Sequence, residues 1–227
     1  MEEPLPVRDA AAVILRRLSD GAPHVRMGQR GAKAAFMPNK FVFPGGAVDP
    51  GDAQVPLATA LGEPCTGRLG EDAPAGLAHA IAAAAIRELW EDTGLALGQP
   101  GPWPAPSEDW AAFAARGLQP VGRPLHFVFR AITPPGRPRR FDARFFLVDA
   151  GAIAGDLDDF SAASDELSHL QWVPVARAQE VDLPFITEVV LAEIGALDPG
   201  APVKAPASVP FFRNDDEESL FLRLGRG

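Results

Sequence analysis

The chain has 227 residues, 47% of them hydrophobic and 22% charged, with a formal net charge of −9. That length and apolar content suit one ordinary core with embellishments, expected as a single domain over 1–227, and the acid excess argues against a general nucleic-acid binder, whose phosphate contacts need surplus Lys and Arg. A lone cysteine, Cys65, excludes an internal disulfide, and neither a basic-then-apolar leader nor a run of about 18 apolar residues is present, so the reading is a soluble, cytoplasmic protein off the membrane.

Asp9 to Leu18 is apolar and partly β-branched, then stops at Ser19-Asp20-Gly21-Ala22-Pro23, which predicts a central strand and a hairpin into a second strand, His24 to Arg30. His24, beside the turn, reads as a loop residue. Arg30, Lys33, Phe36, Met37 and Pro38 then form a short basic and aromatic segment. It is either an ordinary loop or a place where Arg30 or Lys33 meets a substrate phosphate. Phe41-Val42-Phe43 predicts a short strand running into Pro44-Gly45-Gly46. Two glycines permit backbone geometry closed to other residues and leave a carbonyl uncovered, as a main-chain metal ligand requires; a bare turn is the alternative. Residues 53–76 carry Pro56, Gly62, Pro64, Gly67, Gly70, Pro74 and Gly76, leaving room for little beyond a short helix around Leu57 to Leu61. A lid, a substrate-side flap and a subunit contact are the roles open to this segment.

Leu77 to Thr93, rich in alanine, predicts a helix able to lie close to a sheet, and Gly94 supplies the left-handed stop. At about 100° per residue, Arg87, Glu88, Glu91 and Asp92 share an arc of about 140°, with Ile86, Leu89, Trp90 and Thr93 on the other side. Three carboxylates within one turn repel one another unless a cation lies among them. A solvated charged face is the plain alternative for such a stripe taken alone. His79 points to the apolar face and reads as a core or boundary histidine.

Gln99 to Ser107 reads as a proline-rich loop and Glu108 to Arg116 as a short helix, with Trp103 and Trp110 as packing residues. Leu125 to Ile132 and Arg140 to Val148 predict strands. In the second, Arg140, Asp142 and Arg144 share one face and Phe141, Ala143 and Phe145 the other, so the charged row is a solvent edge or a cleft wall that meets phosphates through Arg140 or Arg144. Asp156, Asp158, Asp159, Asp165 and Glu166 form an acidic loop, solvated at least over Asp156 to Asp159. A strand over Leu167 to Val175, a turn over Ala176 to Glu180 and an amphipathic helix over Leu183 to Leu197 follow. The tail, 203–227, reads as an extension whose apolar hairpin docks on this domain or on a twin subunit, a homodimer being the second alternative.

Phe43-Pro44-Gly45-Gly46, Asp52 and Arg87-Glu88-Leu89-Trp90-Glu91-Asp92-Thr93-Gly94-Leu95 together resemble the box of the Nudix hydrolases: a glycine, an acid, a spacer, then Arg-Glu-apolar-x-Glu-Glu-x-Gly-apolar. Asp52 and Asp92 stand where the pattern usually has glutamates, and the spacer from Asp52 to Arg87, 34 residues, is far longer than the usual one. Phe36-Met37-Pro38, the enlarged box, Arg140 to Phe146 and Glu166 to Trp172 are similar to the branch containing the peroxisomal coenzyme A diphosphatase and its bacterial relatives, although the chain's Gly225-Arg226-Gly227 is no peroxisomal address. The resemblance implies an α/β/α sandwich with a mixed sheet between helices. It implies a hydrolase of nucleoside diphosphates linked to another group, acting on a small nucleotide such as coenzyme A or a derivative. Mg²⁺ or Mn²⁺ would be held by Glu91, Glu88, Asp92 through water and the Gly45 carbonyl, with Arg87 orienting the carboxylates and Glu88 or Glu166 (then Asp165) as base. A non-catalytic nucleotide-binding or regulatory module of the same fold is the alternative.

Overall fold

The computed structural model describes residues 6–71, 73–214 and 218–225. The termini at 1–5 and 226–227, and with them the expectations about a leader and the last tripeptide, lie outside the described residues, as do residues 215–217 of the tail.

In chain order the strands and helices are β1 (Val7–Ser19), β2 (Ala22–Arg30), β3 (Phe41–Val42), β4 (Gly45–Ala47), α1 (Cys65–Leu69), α2 (Leu77–Thr93), β5 (Gly98–Pro100), α3 (Glu108–Ala114), β6 (Leu118–Pro120), β7 (His126–Ile132), β8 (Arg140–Asp149), β9 (Leu167–Pro174), α4 (Phe185–Gly195), β10 (Val209–Asn214) and β11 (Ser219–Leu224). Nine strands form one mixed sheet in the order β11-β10-β7-β8-β1-β2-β3, with β4 paired to β1 and β9 to β2. β1 runs parallel to β8 along its length. On its other side it pairs with β4 at Ala10–Ala12 and with β2 only from Arg16 to Ser19. The sheet therefore splays between β1 and β2, and the Phe43-Pro44-Gly45 chain fills the fork.

The period of two in β8 sends Phe146 and Val148 into one core with α2, and Phe145 and Leu147 into another with α4. Ala82, Ala83, Ala84 and Ala85 of α2 are fully buried, so the helix seats tightly, while Ile81, Ile86 and Leu89 each bury a whole side chain, about 2 kcal/mol apiece in transfer terms. Gly94 caps α2 at φ 72°, its N–H donating to the Trp90 carbonyl. No helix among the described residues is long and apolar enough to cross a membrane.

Four expectations are corrected. No helix forms over Leu57 to Leu61; the segment is extended, with Ala58 N donating to the Pro120 carbonyl at 2.8 Å and Thr59 bridging Val121, and the short helix falls instead at Cys65–Leu69 after Pro64. The first two residues of the proline-rich loop, Gln99 and Pro100, belong to β5, paired antiparallel with β6. Asp158 is not merely solvated: it meets Arg17 at 3.3 Å, Arg26 at 3.1 Å and the Trp172 indole at 2.9 Å. The Arg26 guanidinium, 1% exposed, lies 4.2 Å from the Phe160 ring centroid and 4.1 Å from that of Trp172, and burial pulls its pKa down to about 10. Finally, the charged row of β8 is neither a solvent edge nor part of the cavity wall described below. Arg140, Asp142 and Arg144 are buried on the α2 side: Arg130 grips Asp142 at 2.9 and 2.7 Å, Arg144 meets Asp142 and Asp9, and Arg140 donates to the carbonyls of Thr133 and Asn214.

The tail hairpin docks on this domain through parallel pairing of β10 with β7 at Arg130 and Ala131. The 53–76 segment is likewise packed down. Cys65 and Leu69 join the α2-side core, and Arg68 donates to the carbonyls of Pro206 and Ala207 at 2.6 and 2.7 Å.

Candidate active site

Arg87, 5% exposed, is the hub of the α2 surface that faces β4. Its Nε and Nη2 donate to the two oxygens of Asp52, each at 3.0 Å; Nη1 donates to Glu88 at 2.9 Å and Glu91 at 3.0 Å; Nη2 also reaches the Ala47 carbonyl at 3.0 Å. The fork-on-fork pair with Asp52 closes the long interruption between the two halves of the motif. Asp52 itself is held by the turn Pro50–Gln54, where its carboxylate accepts from Asp49 N at 2.8 Å. Burial opposes the charge on Arg87, but Asp52, Glu88 and Glu91 outweigh it and hold the guanidinium protonated.

The diglycine presents its backbone to the same surface. Along an antiparallel pair, successive residues alternate between facing the partner and facing away. Val13 N donates to the Pro44 carbonyl and Val48 N to the Asp9 carbonyl, so Gly45 and Ala47, between them, turn their N–H and C=O away from β1. The Ala47 carbonyl meets Arg87, and Gly45 N donates to Asp92 Oδ2 at 2.9 Å. The Gly45 carbonyl thus lies on the edge that carries the carboxylates. Gly46 has no side chain for good reason: a Cβ there would stand 2.5 Å from Glu88 Cδ.

These carboxylates are short of charge compensation. Glu88, 9% exposed, is pushed up to about 7 by burial against the pull of Arg87, and Asp92, 2% exposed, is pushed up to about 8 by burial despite the Gly45 amide. Burial also raises Glu91. Glu166 is near enough to raise both Glu88 and Asp92, and its Oε1 accepts from Arg30 Nη2 at 2.8 Å. The structure therefore gathers Gly45, Asp52, Arg87, Glu88, Glu91 and Asp92, with Arg30 and Glu166 alongside. Among the described residues no three His, Cys, Asp or Glu side chains stand at metal-holding spacing. Glu88 and Glu91 are turned onto Arg87 instead.

Beyond the diglycine a cavity of about 680 Å³ opens on the α4 side of the sheet. Phe36, Met37, Phe141, Phe145, Ile186 and Phe212 are among its walls, and Arg30, Lys40 and Arg137 are its lining cations. Phe36 meets Phe141 edge-on at 5.2 Å. Lys33 is exposed and does not line the cavity, and neither do Arg140, Arg144 or any described residue of 53–76. Lys40 and Arg137 come from two loops far apart in the chain; the loop from Thr133 to Arg139 reads as rich in Pro and basic residues, but nothing local singles out Arg137 within it or Lys40. His79 donates its Nε2–H to the Val55 carbonyl, 2.8 Å away, in keeping with a boundary role.

No family model matches the chain. A Caenorhabditis elegans protein bearing the name nudix hydrolase 7 is 29% identical over 179 residues, 73% of this chain and 51% of its own length, so the chain spans about half of that curated relative. Among solved structures, a NUDIX hydrolase from Alicyclobacillus acidocaldarius superposes with a TM-score of 0.64 at 26% identity, covering 87% of this chain and 94% of that one. The expected α/β sandwich with its mixed sheet is the fold observed.

Proposed function

We propose, on the premise that this chain belongs to the Nudix hydrolase superfamily by fold and sequence similarity, that it is a divalent-metal-dependent hydrolase cleaving the diphosphate link of a nucleoside diphosphate joined to another moiety. The observation that carries the reading is the convergence of Glu88, Glu91, Asp92 and the Gly45 edge around Arg87. The residues fit a hard divalent ion. All donors are oxygens, two carboxylates are pushed toward neutrality by burial and by the acids beside them, and the missing Cβ of Gly46 leaves the Glu88 carboxylate against the backbone. Glu91 would be the principal ligand, with Glu88, Asp92 through water and the Gly45 carbonyl completing the set for Mg²⁺ or Mn²⁺. When bound, such an ion neutralises phosphate charge and acidifies water.

The chain's own residues do the rest. Arg87 holds Glu88 and Glu91 by Nη1, fixing where both oxygens start from. Glu88, with a carboxyl poised near neutrality, takes the proton of the attacking water; Glu166, exposed beside it, is the second candidate. Arg30, on the cavity wall, exchanges Glu166 for a substrate phosphate. The substrate is a small nucleotide, coenzyme A or a derivative being favoured by the resembling segments around Phe36 and Glu166. The apolar cavity receives the part of it that is not diphosphate.

A non-catalytic module remains the second reading, favoured by one observation: Glu88 and Glu91 both rest on Arg87 and stand apart from metal spacing. Coenzyme A, ADP-ribose, NADH and dinucleoside polyphosphates, each assayed with Mg²⁺ or Mn²⁺ and with chelator, separate the two. Hydrolysis that chelator stops supports the enzyme; tight binding of one compound without turnover of any supports the module.

A further inference from the structure

The cavity beside Gly45 and Gly46 is walled by rings and aliphatic chains, which makes its charged groups informative. Of the three lining cations, Arg30 pairs with Glu166 and Lys40 with Asp182. Arg137, exposed on the loop between β7 and β8, has no hydrogen bond or ion pair among the described residues. The nearby polar side chains are engaged within the fold. The Thr133 hydroxyl bonds to the Phe141 backbone, and the Asn214 amide spans the Ile132 carbonyl and the Ser219 hydroxyl.

Strand register places Arg137 relative to the carboxylates. Ala12 stands beside Gly45, whereas Val7 stands beside Arg140, at the end of the loop that carries Arg137. Five strand residues at about 3.3 Å each put Gly45 and the end of that loop about 16 Å apart along the sheet. A ligand whose diphosphate lies at Gly45 and Arg30 would run past Phe141 and Phe36 and end near an unpaired guanidinium. Nothing apolar needs that guanidinium, and a neutral ligand would leave it idle.

We propose that Arg137 determines specificity by reading a second anionic group, a phosphomonoester on the nucleoside part of the substrate and remote from the scissile diphosphate. The inference rests on the hydrolase reading, since it places the diphosphate at the diglycine. Guanidinium and phosphate match in charge and in planar, two-pronged geometry, so the contact discriminates a phosphate from the hydroxyl that would replace it.

Matched pairs test this: coenzyme A against its 3′-dephospho form, and NADPH against NADH, with Mg²⁺. The readout is the ratio of kcat/KM within a pair for wild type, Arg137→Ala and Arg137→Lys. Wild type should favour the phosphorylated member of at least one pair. Arg137→Ala should lower that ratio about tenfold, chiefly through KM, with most of it retained in Arg137→Lys. The preference should also shrink as salt rises. An unchanged ratio in Arg137→Ala, or no wild-type preference in either pair, overturns the proposal. Should no compound be hydrolysed, the hydrolase reading fails by itself, and the same ratio is read from dissociation constants: a fall in Arg137→Ala supports the role of Arg137, whereas an unchanged ratio, or no binding at all, overturns it.

Discussion

Replacing Arg87 by Gln tests whether one buried guanidinium joins the two halves of the site. The side chain donates to both oxygens of Asp52, to Glu88, to Glu91 and to the Ala47 carbonyl, and it is 5% exposed. Glutamine cannot span these partners, so Asp52, 2% exposed, would keep a buried charge with no cation against it. Removing one member of such a pair costs about 3–5 kcal/mol. In a chain of this size that lowers Tm by roughly 10 °C. Urea and thermal unfolding of Arg87→Gln, Asp52→Asn and the double variant measure it. The double variant should lose about 1–3 kcal/mol less than the sum of the single losses, because the second change removes a charge that the first had stranded. A single-variant loss below about 1 kcal/mol, or strict additivity, would refute the idea that this pair closes the enlarged motif.

Metal-free stability should fall as pH rises. Burial raises Glu88 to about 7 and Asp92 to about 8, so both bind protons more tightly folded than unfolded. The stability this gives is complete below the unfolded carboxylate value, about 4, and is lost through the folded values. Tm in chelator should therefore decline from pH 5 to 8, and added Mg²⁺ should recover more at pH 8; a flat or rising profile in chelator contradicts this. The two glycines should separate stability from activity. In Gly45→Ala the new methyl meets backbone, Ala12 Cα at 2.7 Å, and should cost about 1–3 kcal/mol, whereas in Gly46→Ala it meets the movable Glu88 carboxylate and should lower kcat with little change in Tm. Arg68→Ala strands two carbonyls of the 203–208 stretch and should cost about 2 kcal/mol while kcat/KM stays at the wild-type value, since no described residue of 53–76 lines the cavity. A fall in kcat/KM there would give the segment a role at the site.

What could be read from the chain was whatever its local period encoded. β1 is an apolar run stopped by the turn cluster that leads into β2, β8 alternates from Arg140 to Phe145, α2 is alanine-rich with its carboxylates on one arc, and Gly94 marks the end of α2 because only a left-handed residue fits there. The carboxylates of α2 were legible for the same reason, being three and four residues apart. Other features depend on partners distant in sequence. Leu57 to Leu61 has helix-compatible residues, yet backbone bonds to Pro120 and Thr59–Val121 pairing hold it extended. The row Arg140, Asp142, Arg144 alternates like an exposed edge, and partners distant in sequence, Arg130 and Asp9 from other strands and the Thr133 and Asn214 carbonyls, make its burial tolerable. The cavity draws on β1, two loops, β8 and α4 at once, so no window of sequence contains it.

The central claim is tested most directly by Glu91→Gln, which keeps the side chain's size and removes the charge assigned to the ion. Hydrolysis of the best nucleotide in the panel should be lost at saturating Mg²⁺, with the far-ultraviolet spectrum and a cooperative melt like those of the wild type. Full turnover in that variant would contradict the account.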